Sequence, residues 1–383
     1  MSGLCFELGE EQLAIRAMAE EFAAERIAPF ALEWDREKYF PVDVIRECAA
    51  LGMAGIYVRE DVGGSGLTRL DAALIMEALA SGCPAIASYI SIHNMVAGMI
   101  DKFGSEAQRE RFLPRLCRMD ILSSYCLTEP SAGSDAAALR TRAVRQGEHY
   151  VVNGTKQFIS GAGAADLYLV MVRTGENGSG GISTLIIDKD TKGLSFGPNE
   201  QKMGWHAQPT RQVIFEDARV PVANRLGDEG IGFKVAMAGL DGGRINIGAA
   251  SVGGARAALE KTVAYLRERM AFGRRIGEFQ ALQFRVADMA TELEAARLMI
   301  LRAAASLDSG LPEASLHCAM AKRFATDAGF EIANQALQLH GGYGYLADYG
   351  VEKIVRDLRV HQILEGTNEI MRVIISRQVM GAK

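Results

Sequence analysis

Apolar residues recur every three or four positions near both ends of the chain, which is the period of an α-helix packed on one face. Near the N-terminus the series comprises Leu13, Met18, Phe22 and Ile27. Two longer series in the second half comprise Leu282, Val286, Met289, Leu293, Ala296, Ile300, Ala303 and Leu307, and then Ala319, Phe324, Ala328, Ile332, Ala336 and Leu339. We therefore predict helices at both ends and a helix bundle in the second half.

The middle of the chain has a different pattern. Short runs rich in β-branched and aromatic residues lie at 150–152, 167–172, 182–188 and 212–215, separated by Gly, Asn and Asp turns. No helical series alternates with them, which favours a small antiparallel sheet over a parallel one. The predicted fold class is mainly α with a central β-domain, divided into residues 1–122, 123–230 and 231–383.

Two sequence signatures mark helix starts. Thr68 is followed by Asp71, and Ser105 by Gln108, and each pair is then followed by an apolar series. This spacing is typical of a capping box, in which each residue satisfies a backbone N–H of the other. We predict that a helix begins at each box.

Composition limits the class of protein. Of the 383 residues, 49% are hydrophobic and 23% charged, and the net charge is -5, so neither a nucleic-acid partner nor membrane insertion is predicted. The six cysteines lack Cys-x-x-Cys spacing, so we predict free thiols and no metal site. The first residues lack an early basic charge and an apolar run, which predicts a cytoplasmic protein, most simply bacterial; a processed organellar protein would look the same.

One carboxylate stands at a predicted corner between two helices. Glu365 follows Ile363 and Leu364, and Gly366 and Thr367 are suited to end one helix and cap the next. An apolar corner would desolvate the carboxylate and raise its pKa toward neutrality, as a general base for a weak C–H acid requires. The residues alone favour the simpler alternative, a glutamate that caps a helix or pairs with an arginine.

Two other segments are candidate ligand sites. The run from Tyr125 to Asp135 is rich in hydroxyl groups and glycine, and its amides could bind a carbonyl-rich planar ligand; an ordinary turn after Pro130 is the alternative. The run from Gly342 to Ala347 fits a loose dinucleotide pattern. A helical series precedes it where a strand is required, so we exclude nicotinamide binding.

The segment Leu-Glu-Gly-Thr-Asn-Glu-Ile-Met-Arg at 364–372, preceded by Arg-Asp and Gly-Gly-Tyr-Gly, resembles the C-terminal signature of the acyl-CoA dehydrogenases. The run 125–135 resembles another signature of that family, and the likeness covers nearly the whole chain. It implies an N-terminal helical domain, an antiparallel β-domain and a C-terminal four-helix bundle in a homotetramer. It also implies FAD as cofactor, electron-transfer flavoprotein as electron acceptor, and Glu365 as the base.

The resemblance also implies roles for other residues. The implied FAD contacts are Tyr125, Cys126, Leu127, Thr128, Gly133, Ser134, Phe158, Ile159, Ser160, Thr367, Asn368 and Glu369. Those implied for the FAD of a neighbouring subunit are Arg269, Phe279, Gln280, Gln338, Leu339, His340, Gly341 and Gly342. The implied substrate contacts are Ser134, Asp241, Gly242, Gly243, Arg244 and Arg377, with 241–244 expected at the start of the first bundle helix. Some relatives have a hydroxyl residue where this chain has Ala271.

The substrate is inferred from further stretches of the chain. Segments 88–95, 125–130, 208–211, 215–217, 220–224 and 360–369 are most similar to the branched-chain members that oxidise isobutyryl-CoA to methacrylyl-CoA in valine catabolism. Alternatives within the family are 2-methylbutyryl-CoA, butyryl-CoA and a flavin oxidase. A non-catalytic scaffold that binds acyl-CoA or flavin is the alternative from another class.

Overall fold

The first part of the chain is helical. The computed structural model describes residues 7–381. Its first helices are α1 (Glu10–Phe22), α2 (Ala31–Glu37), α3 (Val42–Glu47), α4 (Arg69–Gly82), α5 (Pro84–Phe103) and α6 (Glu106–Cys117). Both predicted capping boxes are confirmed: Thr68 with Asp71 opens α4, and Ser105 with Gln108 opens α6. Helices α4 and α5 are buried along most of their length, because they pack between the other elements.

The central part forms a sheet of eight strands. They are β1 (Ser123–Cys126), β2 (Arg142–Gln146), β3 (His149–Ser160), β4 (Leu167–Arg173), β5 (Ile182–Asp188), β6 (Leu194–Phe196), β7 (Thr210–Pro221) and β8 (Arg225–Leu226). Their order is β6-β7-β3-β2-β4-β5-β8, and β1 pairs with β4.

The prediction of a wholly antiparallel sheet is wrong in one part. Strand β1 pairs with β4 in parallel, and β2 meets β4 in parallel at Arg142 and Arg173. The long connection through β2 and β3 gives the chain room for the crossover that a parallel pair needs. The sequence pattern missed β1, because Ser-Ser-Tyr-Cys lacks the apolar alternation of the other strands.

The last part is again helical. It contains α7 (Gly232–Glu268), the short hairpin β9 (Met270–Ala271) and β10 (Arg274–Arg275), then α8 (Gln280–Asp308), α9 (Ala314–His340), α10 (Val351–Arg359) and α11 (Asn368–Val379). Helix α7 lies against α4, α5, α8 and α9. Glycine permits this close packing: a Cβ at Gly253 would lie 2.1 Å from the carbonyl oxygen of Glu77.

Two predicted helix bounds need correction. Residues 241–244 lie in the interior of α7 and not at a helix N-terminus, because α7 begins at Gly232 and continues through the glycine pair. Helix α10 ends at Arg359, before Gly366, and a 3₁₀ turn at Val360–Gln362 leads into the corner. The corner therefore contains more irregular backbone than the apolar pattern predicted.

A buried ion pair within α10 accepts a hydrogen bond from the sheet region. Lys353 Nζ donates to Asp357 Oδ2 at 2.6 Å, and both side chains are buried. Asp357 Oδ1 accepts from the backbone N–H of Trp205 at 2.6 Å. Because Trp205 comes just before β7, this network fixes the position of the sheet relative to the corner that carries Glu365.

Two further observations concern the whole described chain. Cys48, Cys83, Cys117, Cys126 and Cys318 are buried free thiols, and Cys5 lies outside the described residues. Between residues 7 and 381, no helix combines the length and the apolar character needed to cross a bilayer.

Candidate active site

A cavity of about 1030 Å³ lies where the sheet, α5, α7 and the corner before α11 meet. Eleven of the predicted site residues line it: Tyr125, Leu127, Thr128, Gly133, Ser134, Phe158, Ile159, Ser160, Arg244, Glu365 and Arg377. They come from segments that are far apart in sequence. The fold therefore brings together the two segments that carried most of the sequence argument.

Glu365 stands at the corner in an unusual backbone conformation. Its φ is 57° and that of Gly366 is 87°, so two consecutive residues are left-handed. Thr367 then caps α11, as predicted, because its Oγ1 accepts from the backbone N–H of Ile370 at 3.3 Å. This turn directs the Glu365 side chain into the cavity and away from both helices.

The Glu365 carboxyl is poorly solvated. The residue keeps some accessible surface because it lines the cavity, but Oε2 is buried and has no hydrogen-bond partner among residues 7–381. Burial raises the pKa of this carboxyl to about 7, although the charges of Arg244 and Lys322 act in the opposite direction. The predicted rise of the pKa toward neutrality is confirmed.

The Arg244 guanidinium contacts the backbone of the corner while it is paired with Asp241. Its Nη1 forms an ion pair with Asp241 Oδ1 at 2.6 Å, and its Nε donates to the backbone oxygen of Glu365 at 3.4 Å. Ser315 Oγ donates to the other oxygen of Asp241 at 2.6 Å. The guanidinium is thus held by Asp241, so the carboxyl of Glu365 can carry a proton or lose it.

Gly243 leaves room for the Glu365 carboxyl. A Cβ at this position would lie 2.5 Å from Glu365 Oε2 and 2.9 Å from Cδ. The side chain that would be displaced is the proposed base, so we expect Gly243→Ala to lower the rate of flavin reduction about tenfold, since small misplacements of catalytic groups are costly. Stopped-flow reduction of the holoenzyme measures this rate. Gly180→Ala, in the turn before β5 and outside the lining of this cavity, is the control, since a Cβ there meets nothing within 4 Å, and FAD content should be compared in both variants.

The cavity lining also includes an aromatic ring and hydroxyl groups. Phe158 has a φ of 59° and is 63% exposed, and the β3–β7 register shifts between Lys156 and Ile159. Phe158 lines the cavity together with the hydroxyl-bearing residues Thr128 and Ser160. An exposed ring on strained backbone suits a site where a planar ligand covers it.

A buried ion pair holds the loop that carries Thr128. Lys156 Nζ donates to Glu129 Oε1 at 2.8 Å and to the carbonyl oxygen of Leu127 at 3.0 Å. Glu129 in turn accepts from the backbone N–H groups of Arg140 and Thr141. The loop is therefore fixed at both ends before any ligand binds.

Two unsatisfied donors at the cavity fit a polar ligand such as FAD. The hydroxyl of Tyr125 and the indole Nε1 of Trp205 are buried and have no hydrogen-bond partner in the described part of the chain. Buried donors of this kind are normally satisfied, so they indicate a ligand or water in this cavity. Sequence analysis missed Trp205, which carries a left-handed φ of 55° and depends on a contact with the distant Asp357.

Other predicted residues do not reach this cavity within one chain. Arg269, Gln338, Leu339, His340, Gly341 and Gly342 line a second cavity of about 650 Å³, and Phe279 and Gln280 lie at the start of α8 beside it. Among the residues absent from both linings are Cys126, Asp241, Gly242, Gly243, Thr367, Asn368 and Glu369. Of these, Gly243 touches Glu365, Asn368 is buried behind the corner, and Glu369 is exposed.

Comparison with known families matches the chain along almost its whole length. The N-terminal, middle and C-terminal domains of acyl-CoA dehydrogenases match residues 9–120, 124–218 and 230–380. The chain belongs to the acyl-CoA dehydrogenase family. It is therefore an FAD-dependent oxidoreductase, and the predictions of the family, the fold class and the cofactor are confirmed.

Individual members of the family can also be compared with this chain. The chain is 57% identical to the mitochondrial isobutyryl-CoA dehydrogenase of Dictyostelium discoideum and 56% identical to that of Bos taurus, in each case over 97% of this chain and 90% of the relative. The solved structure of butyryl-CoA dehydrogenase from Megasphaera elsdenii has a TM-score of 0.96 and 38% identity, covering 98% of this chain and 100% of that one.

Proposed function

We propose that this acyl-CoA dehydrogenase oxidises isobutyryl-CoA to methacrylyl-CoA in valine catabolism. The observation that carries the proposed chemistry is Glu365: a carboxyl at the cavity wall, poorly solvated, with its pKa raised to about 7 by burial. The identity of more than half of the residues to two isobutyryl-CoA dehydrogenases supports the choice of acyl group.

In the proposed reaction, Glu365 removes the proton on the α-carbon of the thioester. A general base works best when its pKa lies near the operating pH, which is the condition that burial creates here. FAD, when held in this cavity, would supply the acceptor for the hydride that leaves the β-carbon. The proton resides on Glu365 until the unsaturated product leaves, and the Asp241–Arg244 pair keeps the corner in place meanwhile.

The residues proposed to hold FAD line the same cavity as Glu365. Thr128 and Ser160 offer hydroxyl groups, and Phe158 offers an exposed ring. The buried hydroxyl of Tyr125 and the indole N–H of Trp205 would find partners on a ligand in this cavity. Ser134 and Arg377, both exposed, stand where the cavity meets solvent and are proposed to contact the CoA part of the substrate.

The proposed acyl pocket is the part of the cavity formed by α5 and α7. Its wall combines apolar side chains with two serine hydroxyls: Ser88, Ser91, Ile92, Met95, Met237 and Leu240. Methionine adapts its shape to irregular spaces, so this wall suits a short branched acyl group. One methylene in an apolar pocket discriminates by roughly 1–3 kcal/mol, so slower turnover of the larger 2-methylbutyryl-CoA is expected. Butyryl-CoA has the same number of carbons and differs in shape, and we expect its unbranched chain to react more slowly as well.

We also propose a homotetramer. The second cavity, which contains Arg269 and His340, holds predicted FAD contacts yet is separate from the Glu365 cavity. Large apolar side chains nearby are exposed in the single chain, with Phe272 94% and Tyr345 80% accessible. An arginine from one subunit could then contact the FAD of another. With such a contact between subunits, FAD binding depends on assembly of the tetramer.

The remaining parts of the proposal concern context. We propose electron-transfer flavoprotein as the acceptor of the electrons, the cytoplasm as the compartment, and the domain bounds 1–122, 123–230 and 231–383. The relatives described above include mitochondrial enzymes. The alternative compartment is therefore an organelle, with this chain as the processed protein.

An anaerobic titration of the holoenzyme tests the substrate. We expect isobutyryl-CoA to bleach the flavin absorbance faster than 2-methylbutyryl-CoA, by about 10-fold or more for the one additional methylene, and also faster than its unbranched isomer butyryl-CoA. Faster bleaching by another thioester would keep the dehydrogenase and overturn the substrate. A protein that retains FAD and is bleached by none of the three would contradict the proposed function and favour the scaffold alternative.

A further inference from the structure

The corner at Glu365 contains two consecutive left-handed residues. Glu365 has a φ of 57° and Gly366 a φ of 87°. Glycine adopts this conformation freely, but a glutamate is crowded by its Cβ. A non-glycine residue stays in this region only where its surroundings hold it there. The contacts of the corner therefore show what fixes the direction of the Glu365 side chain.

Lys322 of α9 makes the shortest hydrogen bond to the backbone of this corner. Its side chain is fully buried, and Nζ donates to the carbonyl oxygen of Gly366 at 2.7 Å and to Asn368 Oδ1 at 2.9 Å. Both acceptors are neutral. A lysine is rarely buried completely without a carboxylate beside it, so its place directly behind the corner calls for a functional explanation.

Asn368 is held so that its oxygen faces Lys322. Its Nδ2 donates to Asp327 Oδ1 at 2.7 Å and to Thr326 Oγ1 at 3.0 Å. Asp327 Oδ1 also accepts from Gln362 Nε2 at 2.8 Å, on the other side of the corner. The network therefore ties the segments before and after Glu365 to the same helix, α9.

We propose that Lys322 and Asn368 form a corner clamp that positions the base, in which Lys322 holds the carbonyl of Gly366 and so directs the Glu365 carboxyl into the cavity. The inference rests on the proposed role of Glu365. Neither residue lines the cavity, so both act through Glu365 and are positioning residues. For Asn368 this replaces the FAD contact that the family resemblance implied.

The clamp also has an electrostatic consequence. The cations that face Glu365 are Arg244 from α7 and Lys322 from α9, and the tyrosines that sense its charge are Tyr57 and Tyr125. Asp327 and Glu369 act on Lys322 from α9 and α11. Arg244 is paired with Asp241. Both charges favour the carboxylate form of Glu365, that of Arg244 more strongly than that of Lys322.

The Lys322→Met holoenzyme tests the clamp. The variant loses both the donor and the charge. We expect the pH midpoint for flavin reduction by isobutyryl-CoA to rise by roughly one unit, as for loss of one neighbouring opposite charge. The limiting rate at high pH should fall about tenfold, because the carboxyl is no longer directed. Lys322→Arg keeps the charge and should return the midpoint toward that of the wild type.

Asn368→Leu provides a second variant that keeps Lys322. It removes one acceptor of the clamp, and we expect a lower limiting rate with the midpoint nearly unchanged. This separates the positioning effect from the effect of charge, and it tests the proposal even where Lys322→Met yields no folded holoenzyme. Lys261→Met is the matched control: it removes a positive charge from an exposed lysine on α7 that does not line the cavity, and should change neither quantity.

An infrared titration of the resting holoenzyme gives a readout without turnover. The protonated Glu365 carboxyl has a carbonyl band that is absent from Glu365→Gln, so the difference follows this residue alone. We expect a midpoint near 7 in the wild type and a higher one in Lys322→Met. Folded Lys322→Met with wild-type rates and infrared midpoint would overturn the clamp. Absence of reduction of the wild type by any thioester would instead overturn the proposed function, and the infrared titration would still test the clamp.

Discussion

Glu365→Gln is expected to lower the rate of flavin reduction by isobutyryl-CoA about 10³-fold or more, in line with the upper range for loss of a general base. Glutamine has almost the same shape and fills the same place at the corner, but its amide cannot accept the α-proton. Stopped-flow absorbance under anaerobic conditions measures the reduction. The wild-type rate should increase as the pH rises through about 7, because the carboxylate is the active form, whereas the residual rate of the variant should not.

Two controls make this result specific. Glu365→Gln should retain FAD, and isobutyryl-CoA should still perturb the flavin spectrum, because the wall that carries Phe158 and Thr128 is unchanged. Glu110→Gln, an exposed glutamate on α6, should reduce its flavin at the wild-type rate. If Glu365→Gln is reduced nearly as fast as the wild type, Glu365 is not the base, whatever the acyl group.

The helices were predictable because their signals are local. The series along α8 and α9 repeats with a period set by the helix itself, and each capping box needs residues only three apart. The strand β1 was not predictable in the same way. Ser123 and Ser124 are buried only because α5 and β4 cover them, which is a property of the tertiary structure and not of the tetrapeptide.

Part of the active site could also be predicted, because some of its residues carry local sequence signals. The corner at Glu365 carries local signals, since an apolar pair precedes it and a glycine and a capping threonine follow it. The raised pKa follows from burial, which those signals indicate. Arg244 and Gly243 entered the prediction through the family resemblance alone, because nothing in their own segment shows that they face a residue more than 120 positions away.

Other parts of the site have no local signal. Lys322 contacts the corner from a position 44 residues earlier in the chain, and its own segment reads as an ordinary helix face. Trp205 owes its orientation to Asp357, 152 residues later. The left-handed backbone of Phe158 depends on an irregular pairing between β3 and β7. Each depends on which distant elements pack together, and a single sequence read segment by segment does not contain that information.

The ionisation of Glu365 should also affect the stability of the protein. A rise in pH that increases the reduction rate should lower the free energy of unfolding. A glutamate in an unfolded chain has a pKa of about 4.3, whereas burial raises the pKa of Glu365 to about 7 in the folded protein. Between these values the folded protein binds a proton that the unfolded chain has lost. The free energy of unfolding should therefore fall as the pH rises from about 4 to 7, by up to about 3 kcal/mol for this one group.

Glu365→Gln removes this dependence because its amide is neutral at every pH. We expect the variant holoenzyme to be more stable than the wild type at pH 8, by up to about 3 kcal/mol, and equally stable at pH 4. Thermal unfolding at the two pH values measures the difference, with Glu110→Gln as the control that should show none. Equal stability of Glu365→Gln and wild type at pH 8 would mean that Glu365 titrates like an exposed carboxyl, and the physical basis for calling it a base would fail with it. If Glu365→Gln is more stable than the wild type at pH 8 but not at pH 4, the wild-type protein loses stability by keeping a carboxylate in a poorly solvated corner. This is expected of a group that is retained for its chemistry.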